Sequence, residues 1–228
     1  MHIPDGFLNP VVCIIGYGVT AIFWFFAFKK AERVLDDRQI PLMAILTAMF
    51  FAVQMMNYPI VGGTTAHLIG GPILAITVGP YAGVISMTII LLIQALVFRD
   101  GGLTTLGCNV WNMGIIAVFT PYLLCLASTK LMKNNKGLFT GAFVGAVVGS
   151  VSAAVFAGLE LGVSVTFPYS IQIATLAMAS HHVIIGVGEG IATLTILSVL
   201  SKSRPDLLQL PRIAPSWMGR LSYTPQQK

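Results

Sequence analysis

Between Gln39 and Phe98 the chain carries no Asp, Glu, Lys or Arg, a run of 60 residues without formal charge. The hydrocarbon core of a bilayer, about 30 Å thick, is crossed by roughly 20 apolar residues in helical form. A water-soluble core of such length would leave apolar surface exposed, whereas a bilayer accepts it. The remaining composition agrees: 56% of the 228 residues are hydrophobic and 9% are charged, against roughly 25% charged in a soluble domain. These properties predict an all-α, polytopic membrane protein. A single transmembrane domain is expected over residues 1–200, followed by a polar cytoplasmic tail, 201–228, with Pro205, Pro211, Pro215 and Pro225.

Seven apolar segments are expected as seven transmembrane helices, at 9–28, 41–59, 65–79, 82–98, 107–127, 138–158 and 171–200. Pro and Gly punctuate them: Pro41 opens the second, Gly79-Pro80 divides the third from the fourth, and Gly101-Gly102 divides the fourth from the fifth. The first segment has no basic stretch before it and no small-residue cleavage site after it, so it does not read as a signal peptide. Met1 is expected to be retained, because His2 is too large to favour its removal.

Basic residues mark the cytoplasmic side of a membrane protein. Lys29, Lys30, Arg33 and Arg38, then Lys130, Lys133 and Lys136, then Lys202, Arg204, Arg212, Arg220 and Lys228 fall on one side; the other has only Arg99 of the 13. This places the N-terminus outside and the C-terminus on the cytoplasmic side of the membrane. It also explains the net charge of +5 without nucleic acid. Cys13, Cys108 and Cys125 form no CxxC pair and read as small buried hydrophobes. No GxxxxGK[ST] phosphate loop is present, so ATP is not expected to bind this chain by that motif.

Ionisable groups within or beside spans are costly and mark function. The candidates are His2, His67, His181, His182 and Glu189. His67 is expected in the first turn of the third helix, capped by Thr64 or Thr65, on the same outer side as Met1. A free α-amine, the amide nitrogen of residue 2 and the imidazole of residue 2 can wrap one ion through a five- and a six-membered ring. A fourth nitrogen from His67 completes a square plane, a geometry that points to Ni(II) or Cu(II). Ile3-Pro4-Asp5-Gly6 is expected to turn with Pro at its second position and Gly at its fourth, aiming the dipeptide into the bundle. Asp5 can hold His2. Asn57, Thr64, Thr65, Gln94, Asn109 and Asn112 can orient the ligands or serve as interhelical glue.

The competing cluster is His181, His182 and Glu189 in "MASHHVIIGVGEG", where His182 and Glu189 share a helical face. It reads as a metal or proton relay, the site of an integral-membrane metalloenzyme or stand-alone metal transporter, or as interhelical hydrogen bonding. The methionines Met43, Met49, Met55, Met56, Met113 and Met178 read as packing. Gly141, Gly145 and Gly149 form one small-residue stripe, Gly186 and Gly190 another, and Ala44, Ala48 and Ala52 a third. The glycines suit helix packing within the chain, the alanines a partner subunit.

"MHIPDGFL", "GGTTAHLIGG", "LLIQALVFRDGGLTTLGCNVWNMG" and "HHVIIGVGEG" resemble, in this order, the substrate-capture (S) component of energy-coupling-factor nickel/cobalt transporters, the CbiM/NikM family. The resemblance spans nearly the whole chain. It implies a six-helix substrate-binding fold with one extra N-terminal helix, and a metal-binding segment at residues 1–8. Met1, His2 and His67 would be the metal ligands. Pro4-Asp5 and Thr65-Ala66-His67 look like the nickel branch, with Co(II) as second substrate. The implied partners are a transmembrane coupling (T) component docked on Ala44, Ala48 and Ala52, cytoplasmic ATPases, and a small accessory membrane subunit.

Overall fold

The structure, a computed structural model, describes residues 1–34, 39–132, 135–204 and 207–208. Seven helices are present among them: α1 Pro10–Val34, α2 Gln39–Gln54, α3 Gly71–Thr77, α4 Pro80–Phe98, α5 Leu106–Met132, α6 Asn135–Gly162 and α7 Ile171–Ser203. Five of them, α1 and α4–α7, are long and apolar enough to cross a bilayer. Most of the expected tail, 205–206 and 209–228, lies outside the described residues.

The third expected span requires correction. Residues 65–79 do not form one helix. Thr65–Ala66 is a short strand, β2, paired antiparallel with β1, Tyr58–Pro59. The helix begins only at Gly71, behind Gly70 at φ +86° and with Pro72 in its first turn. Proline favours that position because its missing N–H would have no helical acceptor there. Seven residues rise about 10 Å, so α3 does not cross the membrane. All seven are buried, and α3 forms the centre of the bundle. α2 is also short, at 16 residues.

Helix contacts follow the small residues. Cβ atoms added at Gly141 and Gly145 would lie 2.6 and 2.7 Å from the Cα atoms of Cys125 and Pro121 on α5. The Gly186 position faces Val147 on α6 in the same way. The glycine stripes thus pack within the chain. Pro121 lies inside α5 and denies Ala117 its helical donor; Gly71 closes on that carbonyl. By contrast α1 is peripheral: 17% of its apolar window is buried, against 50–56% for α4, α5 and α6. Ala44, Ala48 and Ala52 lie exposed on α2.

α4 and α5 each contain a π-helical stretch, Gln94–Phe98 and Val110–Ile116. Such stretches recur at functional sites because they re-aim side chains and free carbonyls. Gln94 and Asn112 sit on them, fully buried.

Candidate metal centre

The first nine residues enter the bundle rather than fray from it. Met1, Ile3 and Leu8 are buried. The turn lies one residue later than expected: Phe7 N–H donates to the Pro4 carbonyl, and Gly6, in third place, takes φ +85°. The expected hold of Asp5 on His2 also needs correction. The Asp5 carboxylate accepts from Leu103 N–H at 3.2 Å, Thr104 N–H at 2.8 Å and the Thr104 hydroxyl. It thereby fastens the turn to the α4–α5 loop. Gly102 makes this possible, since a Cβ there would run into the Asp5 backbone nitrogen.

Asn109 of α5 fixes the residue that follows His2. Its Oδ1 accepts Ile3 N–H at 2.9 Å, while its Nδ2 donates to the Ile3 carbonyl at 3.1 Å. Gly102 N–H and the Thr105 hydroxyl donate to the same carbonyl. With Ile3 clamped on both polar groups, the Met1-His2 backbone has little freedom left.

The opposite wall is the segment between β2 and α3. Thr65 Oγ1 accepts from the Met1 amine at 2.9 Å and from His2 N–H at 3.1 Å, so two successive main-chain nitrogens converge on one oxygen. His67 precedes α3, not in its first turn, and is buried. Its Nδ1 lies 3.0 Å from the Leu68 carbonyl. A carbonyl only accepts, so Nδ1 carries the proton and Nε2 the lone pair in the neutral ring. That Nε2 is buried without a hydrogen-bond partner.

The His2 and His67 rings stack at 4.5 Å between centroids, 14° from parallel. Asp100 Oδ1 stands 2.9 Å from His2 Nδ1, in ion-pair range but not in hydrogen-bond alignment. Its Oδ2 accepts from Asn57 Nδ2 at 2.7 Å. Of the expected orienting residues, Thr65, Asn57, Asn109 and Gln94 surround the centre, Gln94 through its electrostatic contact with His2. Thr64 instead meets Met178, its N–H 3.4 Å from the sulfur, and Asn112 donates to Glu160 at 2.6 Å.

Sequence reasoning passed over Asp100. Between Asp37 and Glu160 it is the sole acidic residue of the chain. That isolation, next to a glycine pair, was the available signal.

Burial tunes the charges. It holds the Met1 amine well below its ordinary pKa, with Asp100 opposing only in part. Burial likewise lowers His2 against the pull of Asp100, and depresses His67 strongly, aided by the Met1 ammonium and His2. For Asp100, burial alone would raise the carboxyl; His2, the Met1 ammonium and Asn57 outweigh it and keep it below the usual carboxylate range. Burial thus favours the uncharged form of the Met1 amine and of both imidazoles, beside one carboxylate.

His181, His182 and Glu189 do not converge. His181 Nδ1 is bonded to the Ala177 carbonyl at 2.9 Å, and its ring lies 6.1 Å from Tyr58. His182 Nδ1 is bonded to the Met178 carbonyl at 2.8 Å. Glu189 accepts from Gly70 N–H and from the Ser150 hydroxyl at 2.9 Å. Among the described residues no three side chains of His, Cys, Asp or Glu form a group able to hold a metal.

Residues 2–207 match the family described as CbiM, cobalt uptake substrate-specific transmembrane region. The chain belongs to the CbiM family. The fused nickel transport protein NikMN of Rhodobacter capsulatus is 36% identical over 231 residues, covering 95% of this chain and 66% of its own length. The chain thus spans about two thirds of that fused relative. Two crystal structures are similar throughout. A truncated transition metal transporter superposes with a TM-score of 0.84 at 36% identity, covering 89% of this chain and 99% of its own. A transition metal transporter gives 0.84 at 37% identity, with 89% and 93% covered. This CbiM-family chain is a multi-pass membrane component of metal transport, not an enzyme.

Proposed function

We infer that this chain captures Ni(II), with Co(II) as second substrate, for an ATP-driven importer. The ion takes the Met1 amine, the deprotonated His2 amide, His2 Nδ1 and His67 Nε2 as a square of nitrogens. The observation that carries this reading is the convergence of the Met1 amine and His2 amide on the Thr65 hydroxyl. An amidate donates along the line its N–H occupied, so the hydroxyl stands where both nitrogens would meet an ion. His67 Nε2 supplies a buried lone pair without a partner, and its Nδ1 is held by a carbonyl as metal-bound imidazoles generally require. An imidazole donates in its ring plane, so the stacked rings must turn edge-on to close the square.

Charge balance supports the same assignment. A buried dication is costly unless compensated. The His2 amidate and the Asp100 carboxylate supply two negative charges.

The relatives named for nickel transport make nickel the first cargo to test. Residues 1–200 are read as one transmembrane domain with its metal segment at 1–8, N-terminus outside, in a prokaryotic cytoplasmic membrane. Residues 201–228 are read as a cytoplasmic tail. Two of the exposed alanines, Ala44 and Ala48, line an apolar groove of about 490 Å³ between α2 and α4, with Met43, Phe51 and Ile90 also in its wall. This face is assigned to the transmembrane coupling component, with ATPases beyond it supplying energy.

The test is nickel titration of the full, untagged chain against one with a single Gly inserted ahead of Met1. The insertion replaces the free amine by a peptide nitrogen and changes the ring sizes. Affinity is expected to fall about a thousandfold with the thermal melt retained. Unchanged affinity overturns the chelate.

A further inference from the structure

His182 is fully buried, and its Nδ1 lies 2.8 Å from the Met178 carbonyl. As at His67, the neutral ring must place its proton on Nδ1 and its lone pair on Nε2. That Nε2 has no hydrogen-bond partner. A buried polar atom left unpaired is costly, and packing alone does not need one. His181, its neighbour, is only part-buried.

The position of His182 is fixed by anchors on either side. α7 runs along the segment 64–70. Near the start of this contact Met178 sulfur meets Thr64 N–H at 3.4 Å, and near its end Glu189 accepts Gly70 N–H. His182 lies one turn beyond Met178 on the same buried face, and therefore opposite the middle of the segment, where His67 is. The His67 and His182 rings act on each other electrostatically, as do the Met1 amine and His182. Two imidazoles thus lie within electrostatic reach of the Met1 amine, each with its Nδ1 tied to a carbonyl and its Nε2 lone pair unengaged.

The geometry points to His182 Nε2 as a second docking point for the nickel or cobalt cargo, the donor that takes the place of His67 when the cation leaves the N-terminal chelate toward the Lys202 end of α7. The first step is a ligand exchange: the His67 Nε2–metal bond breaks, a His182 Nε2–metal bond forms, and the metal keeps its oxidation state. When the cation then departs, water replaces the amine, amidate and His2 Nδ1 bonds on the metal, and the His2 amidate takes a proton from water, releasing hydroxide. The inference rests on the capture reading above and adds an exit donor to it.

A binding cycle on the full, untagged chain tests it with Ni(II) alone as probe. His182→Ala is expected to bind within about threefold of the parent, because the primary square is intact. His67→Ala is expected to bind at least about tenfold more weakly, with His182 filling the vacant corner. His67→Ala combined with His182→Ala is expected to lose at least about another tenfold. His182→Asn, which keeps polarity but lacks the imidazole, repeats the cycle, with thermal melts confirming the fold. A double variant that binds like His67→Ala alone overturns the inference while leaving the capture reading intact. So does a His182→Ala chain as weak as His67→Ala, since His182 would then belong to the primary square. A parent chain that binds no nickel overturns the capture reading, and this one with it.

Discussion

Glu189 packs against the segment that links β2 to α3 and His67 belongs to it; both are buried, yet their polar atoms are treated differently. Each Glu189 oxygen has a donor, Gly70 N–H on one and the Ser150 hydroxyl on the other. The carboxylate is saturated and acts as a clamp between α7, α6 and the start of α3. The N-terminal centre holds its nitrogens in place and leaves them unspent: His67 Nε2 and both ring nitrogens of His2 are buried without aligned hydrogen bonds. Native interiors satisfy nearly all such groups. The difference teaches where to look for cargo. A buried polar cluster that closes on itself builds the fold; the open one at the N-terminus is, on the capture reading, where the ion enters.

The sharpest break of that contrast uses one variant at each cluster. His2→Ala removes the imidazole corner and is expected to lower nickel affinity about a thousandfold or more, with little change in melting. Glu189→Ala leaves Gly70 N–H and Ser150 without acceptors. It is expected to cost about 2–4 kcal/mol of stability while affinity stays within about tenfold. Calorimetric titration with parallel thermal melts reads both. Reversed outcomes would exchange the roles of the two clusters.

Asp100→Asn comes next. It keeps the shape and removes the one carboxylate beside His2. Asp100 faces Nδ1, the nitrogen assigned to the ion, so its part is to offset the charge of the bound dication, and a loss of about tenfold in affinity is expected. The same titration on Asp5→Asn, whose carboxylate serves the α4–α5 loop, should show a smaller loss of affinity than Asp100→Asn.

The pH dependence sharpens the point further. Burial lowers the Met1 amine and both imidazoles below their ordinary values. The further the amine is depressed, the fewer protons leave on binding near neutrality, and the slope of log affinity against pH falls toward about one, the His2 amide proton alone. An amine at its ordinary value of 8.0 would still hold its proton at pH 7 and push the slope toward about two. As pH falls into the acid range the nitrogens take up protons, affinity drops and the slope steepens. Titrations at several pH values distinguish a buried amine from an exposed one.

How far the sequence exposed this arrangement depended on the kind of residue. The membrane class followed from the charge-free run, and His2 and His67 stood out because ionisable residues are so few. The placement of His67 was misread because Thr64 and Thr65 resemble helix caps. In the structure Thr65 belongs to β2 and serves the N-terminus, and Gly70-Gly71-Pro72 is the true helix start. Asp100 was hidden because its role depends on α4 and the N-terminus meeting across about a hundred residues of sequence, a contact no local pattern encodes. The stacking of the two imidazoles belongs to the same class of fact.

The smallest expected effect is the least intuitive. Thr65 Oγ1 bonds both nitrogens that the ion is to receive. It orders them in the metal-free chain but must withdraw before they can coordinate. Thr65→Val preserves the β-branched shape that suits β2 and removes the hydroxyl. Two N–H groups then lose their acceptor in the free state only, since in the bound state both nitrogens face the metal. The free chain is expected to melt lower, and nickel affinity to rise about fivefold, the equivalent of one net hydrogen bond of about 1 kcal/mol. If affinity falls instead, the hydroxyl works chiefly by holding the dipeptide ready, and the order it imposes outweighs its competition with the cation.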